Sequence, residues 1–178
     1  PAFAGFVPKQ IKKLHPDVEL HKAGWGGWPE QNKARLLMPT SPLFKKIGSM
    51  FIKEWEKEFG KNEFYLADSF NEMDIPAPKN DKKKRYKILS KFGKALSDSI
   101  KAGNPDATWV MQGWMFGYQR YIWDPATLAA LIKDVPDDKM LLLDLAVDYN
   151  AKFWNNGPNW DHYEGFYNKP WVYSTIPN

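Results

Sequence analysis

The chain has 178 residues, 43% hydrophobic and 26% charged, a make-up that suits one folded domain and excludes a disordered or low-complexity chain. Twenty-five Lys and Arg against 21 Asp and Glu leave a net charge of +4, and because the charges interleave, no nucleic-acid partner is expected. No run reaches the roughly 18 apolar residues of a membrane span. The absence of Cys removes disulfides, cysteine-ligated zinc and a cysteine nucleophile.

Aromatic residues are in excess: nine Trp, eight Tyr and eleven Phe make up 16% of the chain, and indole rings suit stacking on sugar faces. The chain starts at Pro1 without an initiator Met or a signal-like stretch, so an excised piece of a longer protein is expected.

In chain order, the apolar run at residues 1–4 predicts a first strand. Gly24-Trp25-Gly26-Gly27-Trp28 follows as a bend that leaves two indoles on a loop. Residues 43–59 read as a helix, with Phe44, Ile47, Phe51 and Trp55 on one face and mostly charged residues opposite. A second strand is predicted at 64–68. The Lys82-Lys83-Lys84-Arg85 run then opens a helix over 82–101 as its solvated start. Leu89, Phe92, Leu96 and Ile100 point inward, and Gly103-Asn104-Pro105 stops it.

A third strand spans 108–112. The next helix begins at Asp124-Pro125, Asp as N-cap and Pro at the first helical position, with Leu128, Leu131 and Ile132 inward. Strands at 140–144 and 171–176 complete five. Nearly continuous apolar strands separated by helices imply parallel pairing with both faces covered. Five strands are too few for a closed barrel of eight, and no glycine-rich loop follows any of them, so a nucleotide fold loses its main support. The residues alone predict an α/β fold in one domain, or a contiguous part of one.

In parallel α/β folds the reactive groups gather where strands end at their carboxyl edge. Glu72, preceded by Asn71, stands at such a place after the second strand. An amide beside a carboxyl can hold a hydroxyl or acetamido group while the acid delivers a proton to a glycosidic oxygen. A carboxyl with that task must keep its proton near neutral pH, which an apolar wall favours, and Phe70 and Met73 could supply one. The equally open reading is a surface Glu in a loop, since Asp74, Pro76 and Pro78 follow.

Trp114 could floor a sugar site or belong to the core. Asp68 and Asp144 read as buried acids bonded to neighbouring groups, whereas Asp148 is expected nearer the pocket mouth. Tyr118, Tyr121 and Trp123 read as packing. His15, His21 and His162 are scattered, so no metal site and no cofactor are expected.

Several motifs stand in one order: Pro1-Ala2-Phe3-Ala4-Gly5-Phe6-Val7-Pro8, Gly48-Ser49-Met50-Phe51, the run 65–73 ending Phe70-Asn71-Glu72-Met73, Gln112-Gly113-Trp114-Met115-Phe116, and Leu142-Leu143-Asp144-Leu145. Together they resemble the α-N-acetylglucosaminidase family of glycoside hydrolases, along the whole chain. The resemblance implies part of a (β/α)₈ TIM barrel, about five parallel strands with intervening helices, with residues 1–178 one segment of the catalytic domain that lacks its first strands and its C-terminal end. It also implies a retaining, metal-free, exo-acting enzyme that releases terminal α-linked N-acetylglucosamine from glycans.

Carried across by that resemblance, Glu72 is the general acid/base. Asn71, Trp114, Leu145, Asp148 and Trp25 are substrate-binding. A retaining glycosidase needs a second carboxylate about 5–5.5 Å from the first. The resemblance implies that this nucleophilic Glu lies beyond the stretch ending at Asn178. The chain alone is therefore expected to be inactive, and completed by the remainder of the same enzyme or by another chain. A bacterial extracellular or periplasmic location is expected over a lysosomal one. The alternative function is a non-catalytic, aromatic-rich carbohydrate-binding module, for which Glu72 would be dispensable.

Overall fold

The computed structural model describes residues 1–24, 27–68 and 70–175. A small antiparallel sheet comes first. It contains β1 (Phe6–Val7), β2 (Leu20–Ala23) and β3 (Ala34–Leu37), ordered β1-β3-β2, with α1 (Ile11–Leu14) between β1 and β2. Phe6 opposes Leu36 and Leu20 opposes Leu37, so β3 is the central strand and buries Leu36 and Leu37.

After α2 (Pro42–Phe59), four parallel strands follow in sheet order: β4 (Phe64–Leu66), β5 (Thr108–Gln112), β6 (Met140–Leu145) and β7 (Trp171–Ser174). Phe64 lies beside Thr108, Trp109 beside Met140, and Leu142 beside Trp171. Consecutive parallel neighbours joined through helices are the pattern of a (β/α)₈ barrel, present here as an open sheet. The helical layer is α2, α3 (Lys82–Gly103) and α5 (Pro125–Ile132). Shorter helices α4 (Trp114–Tyr118), α6 (Val147–Phe153) and α7 (Asn159–His162) lie between β5 and β7.

Two expectations need correcting. Residues 1–4 form no strand: Ala2 N–H donates to Leu66 O at 2.7 Å, and one bond is not a ladder. Among the described residues the parallel strands are therefore four, not five. Nor are all four covered on both faces. Phe64 and Leu66 on β4 are 57% and 43% exposed, and Val172 and Tyr173 on β7 are 44% and 60% exposed, because these strands flank the sheet.

The inward face of α2 is also rotated by one position. Its buried residues are Phe44, Gly48 and Ile52, while Ile47, Phe51 and Trp55 only rest half-buried against the core. Gly48 explains the turn, since a β-carbon there would meet Ser99 Oγ at 2.5 Å and α3 could not come so close. On α3 the predicted stripe Leu89, Phe92, Leu96 and Ile100 is buried throughout.

Helix α5 starts as its sequence dictates. Asp124 Oδ1 accepts from Thr127 N–H at 2.8 Å, and Pro125 occupies the first turn, where no amide is needed. Asp124→Ala is expected to cost about 1 kcal/mol, read as a lowered unfolding midpoint. An unchanged midpoint would show that packing of Leu128 and Leu131 alone sets this helix.

Candidate active site

The carboxyl ends of β4 and β5 bring together the two residues that matter most. After β4 the backbone turns abruptly: Phe70 and Glu72 both sit in the left-handed region, at φ 63° and 52°. For residues with a β-carbon this costs of the order of 1–3 kcal/mol each and persists only where surroundings compel it. The turn deals successive side chains to different places. Phe70 goes into the core, 4.5 Å ring to ring from Phe92 and stacked on Trp123 at 6.5 Å. Asn71 turns into a hollow of about 290 Å³ shared with Asp68 and Met73, and Glu72 into a larger one of about 630 Å³.

Glu72 is anchored from the neighbouring strand end. Trp114 Nε1–H donates to Glu72 Oε1 at 2.6 Å. Trp114 is placed in turn by Gln112, whose Oε1 accepts from the Trp114 backbone N–H at 2.8 Å. Its ring meets Trp154 edge-on at 5.0 Å and lies 6.1 Å from Tyr118 and from Tyr149. An indole clamped this way can direct its one donor at a fixed point, which is what holding a reactive carboxyl requires.

Beside it, Asn71 Oδ1 is buried and accepts no hydrogen bond. Asp68 Oδ1 accepts from Gln112 N–H at 3.1 Å, and burial pushes this carboxyl above its ordinary range against that donor. Of the two acids expected to be buried and bonded, Asp68 is bonded but only half-buried, and Asp144 is both. Asp144 is fully buried, with Oδ1 accepting from Asn159 Nδ2 at 2.7 Å and Oδ2 without a partner.

Asn159 also accepts from Arg120 Nη2 at 2.8 Å, and Arg120 Nε donates to Phe116 O at 3.2 Å. This chain of bonds fastens α4, and with it Trp114, to the segment beneath. Burial raises the Asp144 carboxyl above its usual range, with Asn159 and Arg120 opposing. A raised folded value means the folded state holds the proton longer, so stability falls as pH climbs from the ordinary carboxylate range through the folded value. Asp144→Asn keeps the acceptor for Asn159 and is expected to flatten that decline, measured as unfolding midpoint between about pH 4 and 8. An identical slope in both proteins would refute it.

The remaining expected site residues separate. Leu145 ends β6 half-buried and Asp148 is exposed on α6; neither lines either hollow. Trp25 lies outside the described residues, while Trp28 is half exposed and borders both hollows. Trp123 is packing, as expected, but Tyr121 is 82% exposed on the rim of the larger hollow.

Sequence reasoning missed Gln119 and Arg85, which line that hollow too. Arg85 had a readable signal: it stands four residues before Leu89, on the buried stripe of α3 rather than with the exposed Lys82, Lys83 and Lys84. Among the described residues no group of three or more His, Asp or Glu could hold a metal ion.

Comparison with known proteins shows the family and the fold. The family model described as the alpha-N-acetylglucosaminidase (NAGLU) TIM-barrel domain matches residues 1–178. The chain belongs to the alpha-N-acetylglucosaminidase family. Human alpha-N-acetylglucosaminidase is 33% identical over 180 residues, covering 100% of this chain and 22% of the human protein. The chain thus spans about a fifth of that relative's length.

The family 89 glycoside hydrolase of Clostridium perfringens, solved in complex with PUGNAc, superposes with a TM-score of 0.72 at 20% identity, over 99% of this chain and 18% of that one. A doubly Glu-to-Gln-substituted form of the same bacterial enzyme, bound to its substrate GlcNAc-alpha-1,4-galactose, gives 0.71, also at 20% identity and the same coverage. At that identity the bacterial structures speak for the fold. For this member of the alpha-N-acetylglucosaminidase family, the TIM-barrel reading and the open four-stranded sheet agree.

Proposed function

We propose that this chain is the acid/base-bearing part of a retaining, exo-acting glycoside hydrolase that releases terminal α-linked N-acetylglucosamine from glycans. The observation that carries the reading is the Glu72 carboxyl, fixed by the Trp114 indole at 2.6 Å in the wall of a hollow at the carboxyl edge of the sheet. The Glu72 carboxyl is the group that carries the transferable proton.

In the first step Glu72 gives that proton to the glycosidic oxygen as a second carboxylate attacks the anomeric carbon. The family resemblance implies that the attacking group is a Glu outside residues 1–178; Asp74, the other acid lining this hollow, is exposed and lies 3.8 Å from Lys79 as an ion pair. In the second step the Glu72 carboxylate takes a proton from water, which then releases the sugar with its configuration kept. Asn71, with its buried unbonded amide oxygen, is suited to receive an N–H or O–H of the bound sugar.

The test is the stereochemistry of the first-formed product, followed by NMR on the enzyme that contains this chain. Release of α-N-acetylglucosamine supports the reading. Release of the β anomer means inversion and removes the two-step scheme, and binding without any turnover points to the carbohydrate-binding alternative.

A further inference from the structure

Helix α4 carries Trp114 in five residues, too few for its own hydrogen bonds to hold it rigid. The last carbonyls of a helix find no partner within it, and two of those in α4 are taken by side chains from beyond the helix. Phe116 O accepts from Arg120 Nε–H at 3.2 Å, and Gly117 O accepts from Asn156 Nδ2 at 2.9 Å. The Tyr163 hydroxyl also stands 3.1 Å from Phe116 O. Its one proton has a nearer acceptor in Trp123 O at 2.6 Å, which leaves Arg120 as the committed donor.

Arg120 does more than cap. Its Nη2 donates to Asn159 Oδ1 at 2.8 Å and to Gly157 O, next to Asn156, so one guanidinium grips α4 and the segment that caps it. Asn159 is fully buried and donates onward to Asp144 Oδ1 on β6 at 2.7 Å. A planar fork serves Phe116 O and Asn159 Oδ1 at the same time; an ammonium, one point on a flexible stem, cannot hold that geometry. The direction of the Trp114 indole, and so the point at which its Nε1–H meets Glu72 Oε1, follows from where Arg120 is held. Arg120 lines neither hollow, so its effect on the reaction runs through Trp114.

We propose that Arg120 is a positioning residue for the acid/base: by fixing α4 against β6 it aims the Trp114 indole, which holds the Glu72 carboxyl in line with the leaving oxygen. The inference rests on the proposed role of Glu72. A misaimed carboxyl fails where proton donation matters most, so the defect is one of leaving-group dependence rather than of binding.

The test uses the whole enzyme that contains this chain. Arg120→Ala, Arg120→Lys and Glu72→Gln are compared on an unactivated disaccharide and on an aryl α-N-acetylglucosaminide. Arg120→Ala should lower kcat on the disaccharide by roughly a hundredfold with KM little changed, the scale that a misplacement of about 1 Å produces. The first step on the aryl substrate, read as the burst of aryl alcohol, should stay near wild type. Millimolar guanidinium, which fits the space the side chain leaves, should restore part of the disaccharide turnover in Arg120→Ala and none in Glu72→Gln. Arg120→Lys should show the same split in weaker form, since it keeps the cation and one donor.

Equal loss on both substrates, an unchanged disaccharide rate, or rescue absent in Arg120→Ala or present in Glu72→Gln overturns the inference. When only the Arg120 variants lack the leaving-group split, the role of Glu72 stands; when Glu72→Gln lacks it too, the functional reading itself falls. If Arg120→Ala does not fold, Arg120→Lys decides on the same split.

Discussion

Replacing Glu72 by Gln is expected to lower kcat on unactivated glycans by roughly a thousandfold, within the range that positioned proton transfer contributes. Gln keeps an oxygen for the Trp114 Nε1–H bond, so the indole and the hollow should be retained while the transferable proton is lost. The loss should depend on the leaving group. An aryl α-N-acetylglucosaminide departs with little protonation, so its first step should be largely spared. The second step still needs a base, so the glycosyl-enzyme should accumulate and show as a burst of aryl alcohol. Equal loss of the first step on both substrate types would deny Glu72 its role as acid.

The largest effect on stability is expected at Gly93, in the middle of α3. A β-carbon there would lie 1.9 Å from Leu131 O and 3.0 Å from Leu131 C, both backbone atoms of α5. Two effects compete in Gly93→Ala. Helix propensity favours Ala by about 1 kcal/mol, while overpacking costs about 1–3 kcal/mol and more where nothing can rotate aside. Backbone cannot rotate aside, so the clash wins.

The net outcome should be a loss of about 2 kcal/mol, read by denaturant midpoint. Gly157→Ala, with nothing within 4 Å of the added carbon, serves as the matched control and should stay near wild type. A Gly93→Ala protein as stable as that control would mean that α3 and α5 do not pack this closely.

Much of the helical layer could be read in advance, because its signals are local. Asp124-Pro125 marks a helix start by chemistry confined to one turn, and the spacing of Leu89, Phe92, Leu96 and Ile100 needs nothing beyond α3. The antiparallel sheet could not be read this way. Phe6–Val7 is two residues long, and Leu20–Ala23 carries His21 and Lys22, so neither looks like a strand alone. They become strands because β3 lies between them and pairs with both.

The site divides along the same line. Glu72 and Trp114 each stood out as residues following strands, but the bond joining them depends on β4 and β5 being neighbours and on a left-handed turn at Glu72 that no residue there announces. Asp148 shows the converse: its place shortly after a strand suggested a pocket residue, but α6 turns it to solvent. Arg85 and Gln119 both line a hollow bounded by segments far apart in the chain.

The central claim, that Glu72 is the acid/base of a two-step reaction, is tested most directly by chemical rescue. Glu72→Ala enzyme would be given an aryl α-N-acetylglucosaminide with and without azide. Azide needs no general base, so it should restore turnover and yield the α-configured glycosyl azide. No acceleration by azide, or a β-configured product, would contradict the assignment.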